Sequence, residues 1–453
     1  MRGTVVALAL CSITAAASAQ DPGAMVPQTD HKTGGSPNIQ MIAHVVNHPS
    51  AWKAADIEME QEMNRPYVYV CGFVNNDVQI YDIKDPAHPK MLVDWSIENP
   101  ELHRGIGAMD GKSFKIGDHY YYAQSYQFMQ GSPDAELGAV IFDVTGLPDP
   151  KSVKVVARIN YPAAPGGFHN TFAYKHSDGR VLYFATVGEA KALVYDLAKV
   201  VAGDTAGALI GAVPNPTPFK MFGGGSYHDF YVGYDVARHR DVFYGAGLGG
   251  YSAWDVSKPE APTQLFTITG FGMDIAHTFT PSPDGNYAVT ETEYQYTPLR
   301  VWDLKEGQDG TRKNLDVPIS AWTADWHDLS HNHEVRWPYV FVSAYEDGFQ
   351  VFDLKDPKHP KTDGWYFTCG CQHEHGFGGN PDVNWEGNSV EQGAFGVDIR
   401  NADGLIVLSD MRSGLWIFRM KGFTGWDGTK IGTTNVSSVQ DWAHAPGGMA
   451  PPQ

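Results

Sequence analysis

Basic residues are scarce in this chain: lysine and arginine total 33 against 52 aspartates and glutamates, a formal net charge of −19. Nucleic acids and anionic membranes both demand basic surface, so this balance disfavours them as partners. Cysteine is rarer still, at four residues, which excludes a scaffold built from disulfides. Beyond Ile13 no apolar run is long enough to cross a bilayer, so no membrane insertion is expected. Also missing are a glycine-rich phosphate loop opening a helix, a C-x-x-C-H haem attachment and a G-x-S-x-G elbow. Helical periodicity is sparse, whereas glycine, proline and aromatic residues are plentiful, which points to all-β architecture.

The N-terminus carries Arg2, an apolar run from Val5 to Ile13, and Ala17-Ser18-Ala19 before Gln20. A charged start, a short apolar segment and an A-x-A sequence read as a signal peptide over residues 1–19. The expected mature protein is periplasmic or secreted, with a linker over 20–38 and a C-terminal tail over 421–453. Cys71, Cys369 and Cys371 survive cleavage, so at most one disulfide forms within the chain, Cys71 pairing with Cys369 or Cys371.

Residues 39–420 are built from a repeat. One copy reads Val78-Gln79-Ile80-Tyr81-Asp82-Ile83 and continues through Asp85-Pro86 and His88-Pro89. Another reads Val351-Phe352-Asp353-Leu354, followed by Asp356-Pro357 and His359-Pro360. Between them stand Ile141-Phe142-Asp143-Val144, Val194-Tyr195-Asp196-Leu197, Ala253-Trp254-Asp255-Val256 and Val301-Trp302-Asp303-Leu304. The seventh, Trp416-Ile417-Phe418-Arg419, puts arginine where the others have aspartate. Copies fall about 50 to 65 residues apart, the spacing of propeller blades with loop insertions. A β-rich segment precedes each copy and another strand follows most of them. The expectation is therefore a seven-bladed β-propeller. The last copy lacks an outer strand, and Gln40-Met41-Ile42-Ala43-His44-Val45-Val46 is left over at the start, so this segment is expected to close the ring.

These units resemble the LVIVD-repeat family of secreted bacterial propellers, in which a strand ending in Asp-Val/Ile/Leu leads into an Asp-Pro-x-x-Pro turn. Asp85 to Pro89 and Asp356 to Pro360 show that turn in full. The resemblance implies a propeller and says little of activity, since one fold hosts many functions.

Eighteen histidines are present, and five recur at or just before an inner strand: His103, His169, His228, His277 and His333, the last within His331-Asn332-His333-Glu334. From histidine to the repeat's aspartate, blades three, four and five count 27, 27 and 26 residues. Inner strands all start on one face of a propeller, so these imidazoles should converge on one channel mouth. Such a set suits a transition metal ion, Cu, Fe, Mn or Zn. Blade one offers Asp56, Glu58, Glu60 and Gln61 in place of histidine, and blade seven Phe395 or Gly396. The competing reading is structural, because in WD-repeat propellers a recurring histidine near each blade start hydrogen-bonds within its blade.

The longest interruption lies between blades six and seven and opens with Cys369-Gly370-Cys371-Gln372-His373-Glu374-His375. It follows an outer strand, so it belongs on the histidine face and adds His373 and His375 as metal candidates. His119, His176 and His239 fall near strand-connecting turns and are expected in solvent. The leading expectation is a metal-dependent oxidoreductase, with His169, His228, His277 and His333 as first-choice ligands and His331 beside them. His103 and Glu334 are candidates for proton transfer, and Tyr227 and Arg104 for contact with a small-molecule or glycan substrate. Two alternatives stand: a polysaccharide lyase, for which Arg104 would neutralise a uronate, and a non-enzymatic propeller that binds protein or glycan.

Overall fold

A computed structural model describes residues 33–46, 54–73, 77–216, 225–270, 272–273, 275–294, 296–326, 329–368, 393–428 and 442. The segment read as a signal peptide lies outside them, as do most of the expected linker and most of the expected tail. No helix among the described residues is long and apolar enough to cross a membrane.

Seven sheets, each with four antiparallel strands at its core, form the seven blades of a β-propeller. Blade one runs Ala54–Met59, Tyr67–Gly72, Asp77–Asp82 and Lys90–Ser96 from the inside out. Blades two to six begin with inner strands Gly105–Ile116, Thr171–Lys175, Tyr227–Asp235, Thr278–Pro281 and His333–Arg336. Blade seven takes Ala394–Ile399, Leu405–Asp410 and Gly414–Met420 from the C-terminal part of the chain and its outer strand, Ile39–Val45, from the N-terminal part. The seven inner strands contact one another in a closed cycle.

The cores lie between blades rather than at the centre. Aromatic and β-branched residues on both faces of the middle strands pack against the next sheet. Blades one and two bury Tyr69, Tyr122 and Phe142 together, and blades six and seven bury Phe341, Phe349 and Phe418. The repeat's aspartate has a local task. Asp82, Asp143, Asp196, Asp255, Asp303 and Asp353 each accept a hydrogen bond from the backbone N–H two residues on, at 2.8 to 3.0 Å. Each thereby turns the chain out of the third strand. In blade seven the chain need not turn toward a fourth strand, and Arg419 instead binds Asp403 at 2.9 Å. His88 and His359 belong to the same turn chemistry, each with Nδ1 2.8 Å from the aspartate three residues back.

Both ends of the linker-and-tail scheme pack further into the propeller than their composition indicates. Gly34 and Gly35 pair with Phe367 and Tyr366 along blade six before the chain crosses to blade seven. At the other end Phe423 is buried against Tyr339 and Phe341, and Trp426 Nε1 donates to the Trp337 carbonyl at 3.0 Å. The N-terminal segment thus ties blades six and seven together. Deleting residues 33–46 should bare the edge of Gly414–Met420, and light scattering should then show aggregates in place of a single species. A monodisperse variant with an unchanged melting temperature would contradict this role.

Candidate metal centre at the channel mouth

Inner strands begin irregularly, and the irregularity sets which side chains reach the mouth. The pairing of blade four slips between Tyr227 and Asp229, and that of blade seven between Ala394 and Gly396. Such bulges re-aim one side chain out of the strand's alternation. His228 and Phe395 occupy these slipped positions. In blade five His277 directly precedes the first paired residue, and in blades three and six His169 and His331 stand two residues before it.

Four histidines from consecutive blades meet there. His169 Nε2 lies 3.0 Å from His228 Nε2. The His228 and His277 ring centroids are 4.1 Å apart, and those of His277 and His331 4.8 Å. The other arc of the mouth, on blades seven, one and two, is apolar: Phe395, Ala55 and Met109 form one buried cluster with Cys71 and Tyr345. Ala55 rather than Asp56 or Glu58 therefore takes the blade-one position, and Glu60 and Gln61 bind Arg65 and backbone carbonyls instead.

Oxygen acceptors hold the outer ring nitrogens. His169 Nδ1 is 2.6 Å from Gln127 Oε1, and His331 Nδ1 is 2.7 Å from the Phe395 carbonyl. His277 Nδ1 is 2.9 Å from Thr278 Oγ1 and 2.7 Å from Glu291 Oε2, the latter off hydrogen-bond alignment. Fixing Nδ1–H in this way turns the Nε2 lone pairs inward, the usual arrangement behind a metal-bound histidine. Burial drives the rings toward their neutral form: His169 down to about 4, His331 to about 3, and His228 and His277 well below the usual histidine range.

Glu293 completes the group. It sits on the turn after the second strand of blade five, with Oε2 3.4 Å from His277 Nε2 and Oε1 3.9 Å from His331 Nε2, and it accepts from the Tyr345 hydroxyl. Ligand atoms of His228, His277 and Glu293 all lie within 4.8 Å of one another. Nε2 of His277 is buried and has no hydrogen-bond partner. Around a tetrahedral metal with bonds of about 2.0–2.1 Å, ligand atoms stand about 3.3 Å apart, so the group fits with side-chain adjustments of roughly an ångström. Two imidazoles and a carboxylate are an established donor set for iron and zinc. Glu293 and Glu291 escaped the sequence reading because they occupy no repeated position. The available signal was Thr290-Glu291-Thr292-Glu293 at the end of a second strand, on the face where the histidines gather.

The other candidates are placed differently. His333 lies two residues deeper than His331 and outside the metal-sized group, buried and pushed down to about 4 by that burial. Glu334 points into the channel and binds Arg336 at 2.7 Å. His103 stacks on Phe128, with its ring nitrogens 3.0 and 2.9 Å from the carbonyls of Pro133 and Glu98. The Tyr227 hydroxyl is 2.7 Å from the Pro214 carbonyl of blade three and 2.9 Å from Ser252 Oγ of blade four, a packing role between the two blades. Arg104 is exposed on blade two. His373 and His375, with Cys369 and Cys371, lie outside the described residues. His119 and His239 are exposed as expected, whereas His176 is not. It is fully buried, 2.9 Å from Asp178 and 3.3 Å from Asp241, because its turn packs under blade four.

No protein-family model and no curated protein matches the chain. Solved structures do, 1192 chains of them. One is the crystal structure of Raptor from Chaetomium thermophilum, with a TM-score of 0.55 and 13% identity. That match covers 87% of this chain and 30% of the other. A likeness this broad and this remote in sequence shows the propeller fold alone.

Proposed function

We propose that the protein is a metal-dependent oxidoreductase whose metal is held by His228, His277 and Glu293, with His331 and His169 completing the arc. The observation that carries this reading is the two-histidine, one-carboxylate group at a partly open mouth. When bound, a redox-active metal in such a set supplies one-electron chemistry at a position left free for a second ligand. The chain's own residues do the rest. Gln127, Thr278 and the Phe395 carbonyl orient the imidazoles, Tyr345 holds Glu293, and the apolar arc keeps water off one side.

Beside the site stand two exposed aromatic residues, Tyr296 at 59% and Trp326 at 51%, joined by a backbone hydrogen bond of 3.0 Å. Tyr296 and Tyr345 both hold positive φ, 62° and 39°, which bulky residues rarely adopt and which clusters at functional sites. An aromatic pair on the rim suits a small molecule or glycan with a ring to stack. Glu293, at this mouth, repels a uronate and so weighs against a lyase.

Elemental analysis of the purified protein tests the proposal: one transition metal per chain is expected. A protein that stays metal-free after incubation with copper, iron, manganese and zinc would overturn it in favour of a binding propeller. The resemblance to LVIVD-repeat proteins and the N-terminal sequence support export in the same proposal. Intact-mass measurement of protein from the periplasm or medium should give a chain starting at Gln20, and a retained Met1 would contradict this.

A further inference from the structure

Below the mouth the inner strands alternate, and every blade sends one or two side chains into a channel along the axis. The residues one step below the mouth include Asp56, Asp110 and Asp229, and those two further down include Glu58, Glu334 and Asp398. Against six carboxylates stand Lys112 in the channel and the fully buried Arg336. Lys112 Nζ lies 2.6 Å from Asp110 Oδ1 and 3.3 Å from Asp56 Oδ2. Arg336 is held by Glu334 and lies 3.6 Å from Asp398. Glu58 is bonded by the Ser113 amide and hydroxyl, and among the described residues Asp229 pairs with no lysine or arginine. The channel is short of positive charge.

Two further groups are short of partners. The Tyr231 hydroxyl and Thr280 Oγ1, on adjacent blades at the level of Glu334, line the channel and have no hydrogen-bond partner. These residues are only 6% and 1% exposed. Tyr231 follows Asp229 by two residues on the same inner strand, so the alternation directs its side chain into the channel. Burial, followed by the charge of Glu334, pushes the Asp398 carboxyl up to about 7, which a cation beside it would reverse.

We propose that this channel binds an organic ammonium ion, a primary amine or short diamine, at a site separate from the metal centre above it. A bare metal fits poorly, because the metal-sized donor group found among the described residues lies at the mouth, not in the channel. An ammonium fits the chemistry the channel already displays with Lys112: three donors, shared among carboxylates from different blades. Tyr231 and Thr280 add neutral acceptors, while Phe172, packed on Tyr231, offers apolar wall to a methylene chain.

The test is calorimetric titration of the full chain, stripped of metal by chelation and dialysis, with 1,4-diaminobutane. Saturable binding near one per chain is expected, weakened at least tenfold in both Glu334→Gln and Asp398→Asn. Tyr231→Phe removes a single oxygen and guards against misfolding of the charge variants. It should weaken binding several-fold at an unchanged or higher melting temperature. Absent or non-saturable heat overturns the proposal, as does an affinity that none of the three variants alters. Saturation by calcium chloride with none by the diamine overturns it equally, since that would make the channel a metal site.

Discussion

Replacing His228 and His277 together by alanine should reduce bound transition metal from about one per chain to less than a tenth, while the propeller still folds. These two side chains supply two of the three donors in the metal-sized group. Neither is needed by its blade. His228 Nδ1 and His277 Nε2 are buried without hydrogen-bond partners, so their removal takes away strain along with contacts. A metal present at a hundred times its dissociation constant stabilises a protein by about 2.7 kcal/mol. With an unfolding entropy of about 2.1 cal/mol/K per residue over roughly 400 residues, that is a rise of about 3 °C in melting temperature. Wild-type protein should show this rise when metal is added after chelation, and the double variant should show none. A structural role makes the opposite forecast: a large fall in melting temperature on substitution, with or without metal. Differential scanning calorimetry alongside elemental analysis separates the two.

The second large effect belongs to Arg336. Its guanidinium has no solvent exposure and joins blade six to blade seven through Asn401 Oδ1 at 2.8 Å and the Ile399 carbonyl at 3.1 Å, while holding Glu334 at 2.7 Å. Arg336→Met keeps much of the volume but leaves Glu334 and Asp398 without their cation. Breaking such a buried pair costs about 3–5 kcal/mol, which on the same entropy lowers the melting temperature by about 4 to 6 °C. The loss should depend on pH. A carboxyl raised above its unfolded value, as Asp398 is at about 7, favours the folded state below the unfolded value, and that advantage fades as pH rises through the folded one. Without Arg336 the folded value climbs further, so the penalty should be small near pH 4 and grow as pH rises above 7. Arg336→Met combined with Asp398→Asn should recover part of the loss. A single variant as stable as wild type at pH 8 would show that the arginine is dispensable.

The architecture was legible because a propeller repeats. Trp254-Asp255-Val256 and Trp302-Asp303-Leu304 declare the same strand and the same turn, and a surplus strand at residues 40–46 can only complete the blade that lacks one. The histidine arc was legible for a related reason, since inner-strand starts share a face. What the repeat does not encode was harder to read. His331 and His333 both satisfy the spacing, and only the point where strand pairing begins in blade six brings the former to the mouth. Glu293 and Tyr345 sit on turns after second strands, where position in the repeat carries no information about chemistry. Gln127 and Thr278 matter only through the imidazoles they hold. The channel acids follow the alternation of the inner strands, but their meaning depends on seven strands meeting, which no single stretch of sequence displays.

Closure of blade seven by Ile39–Val45 also governs the order of events during folding. The partners of this strand, Gly414–Met420, form the last strand of the propeller to be made, so its loop-closure entropy falls due only when the rest of the ring stands ready to receive it. Until then blade seven has an unsatisfied edge and the inter-blade core around Leu415 and Ile417 lacks its outer cover. Synthesis that stops before Met420 yields a chain that cannot lock. The fold thereby couples arrival of the last blade to closure of the ring.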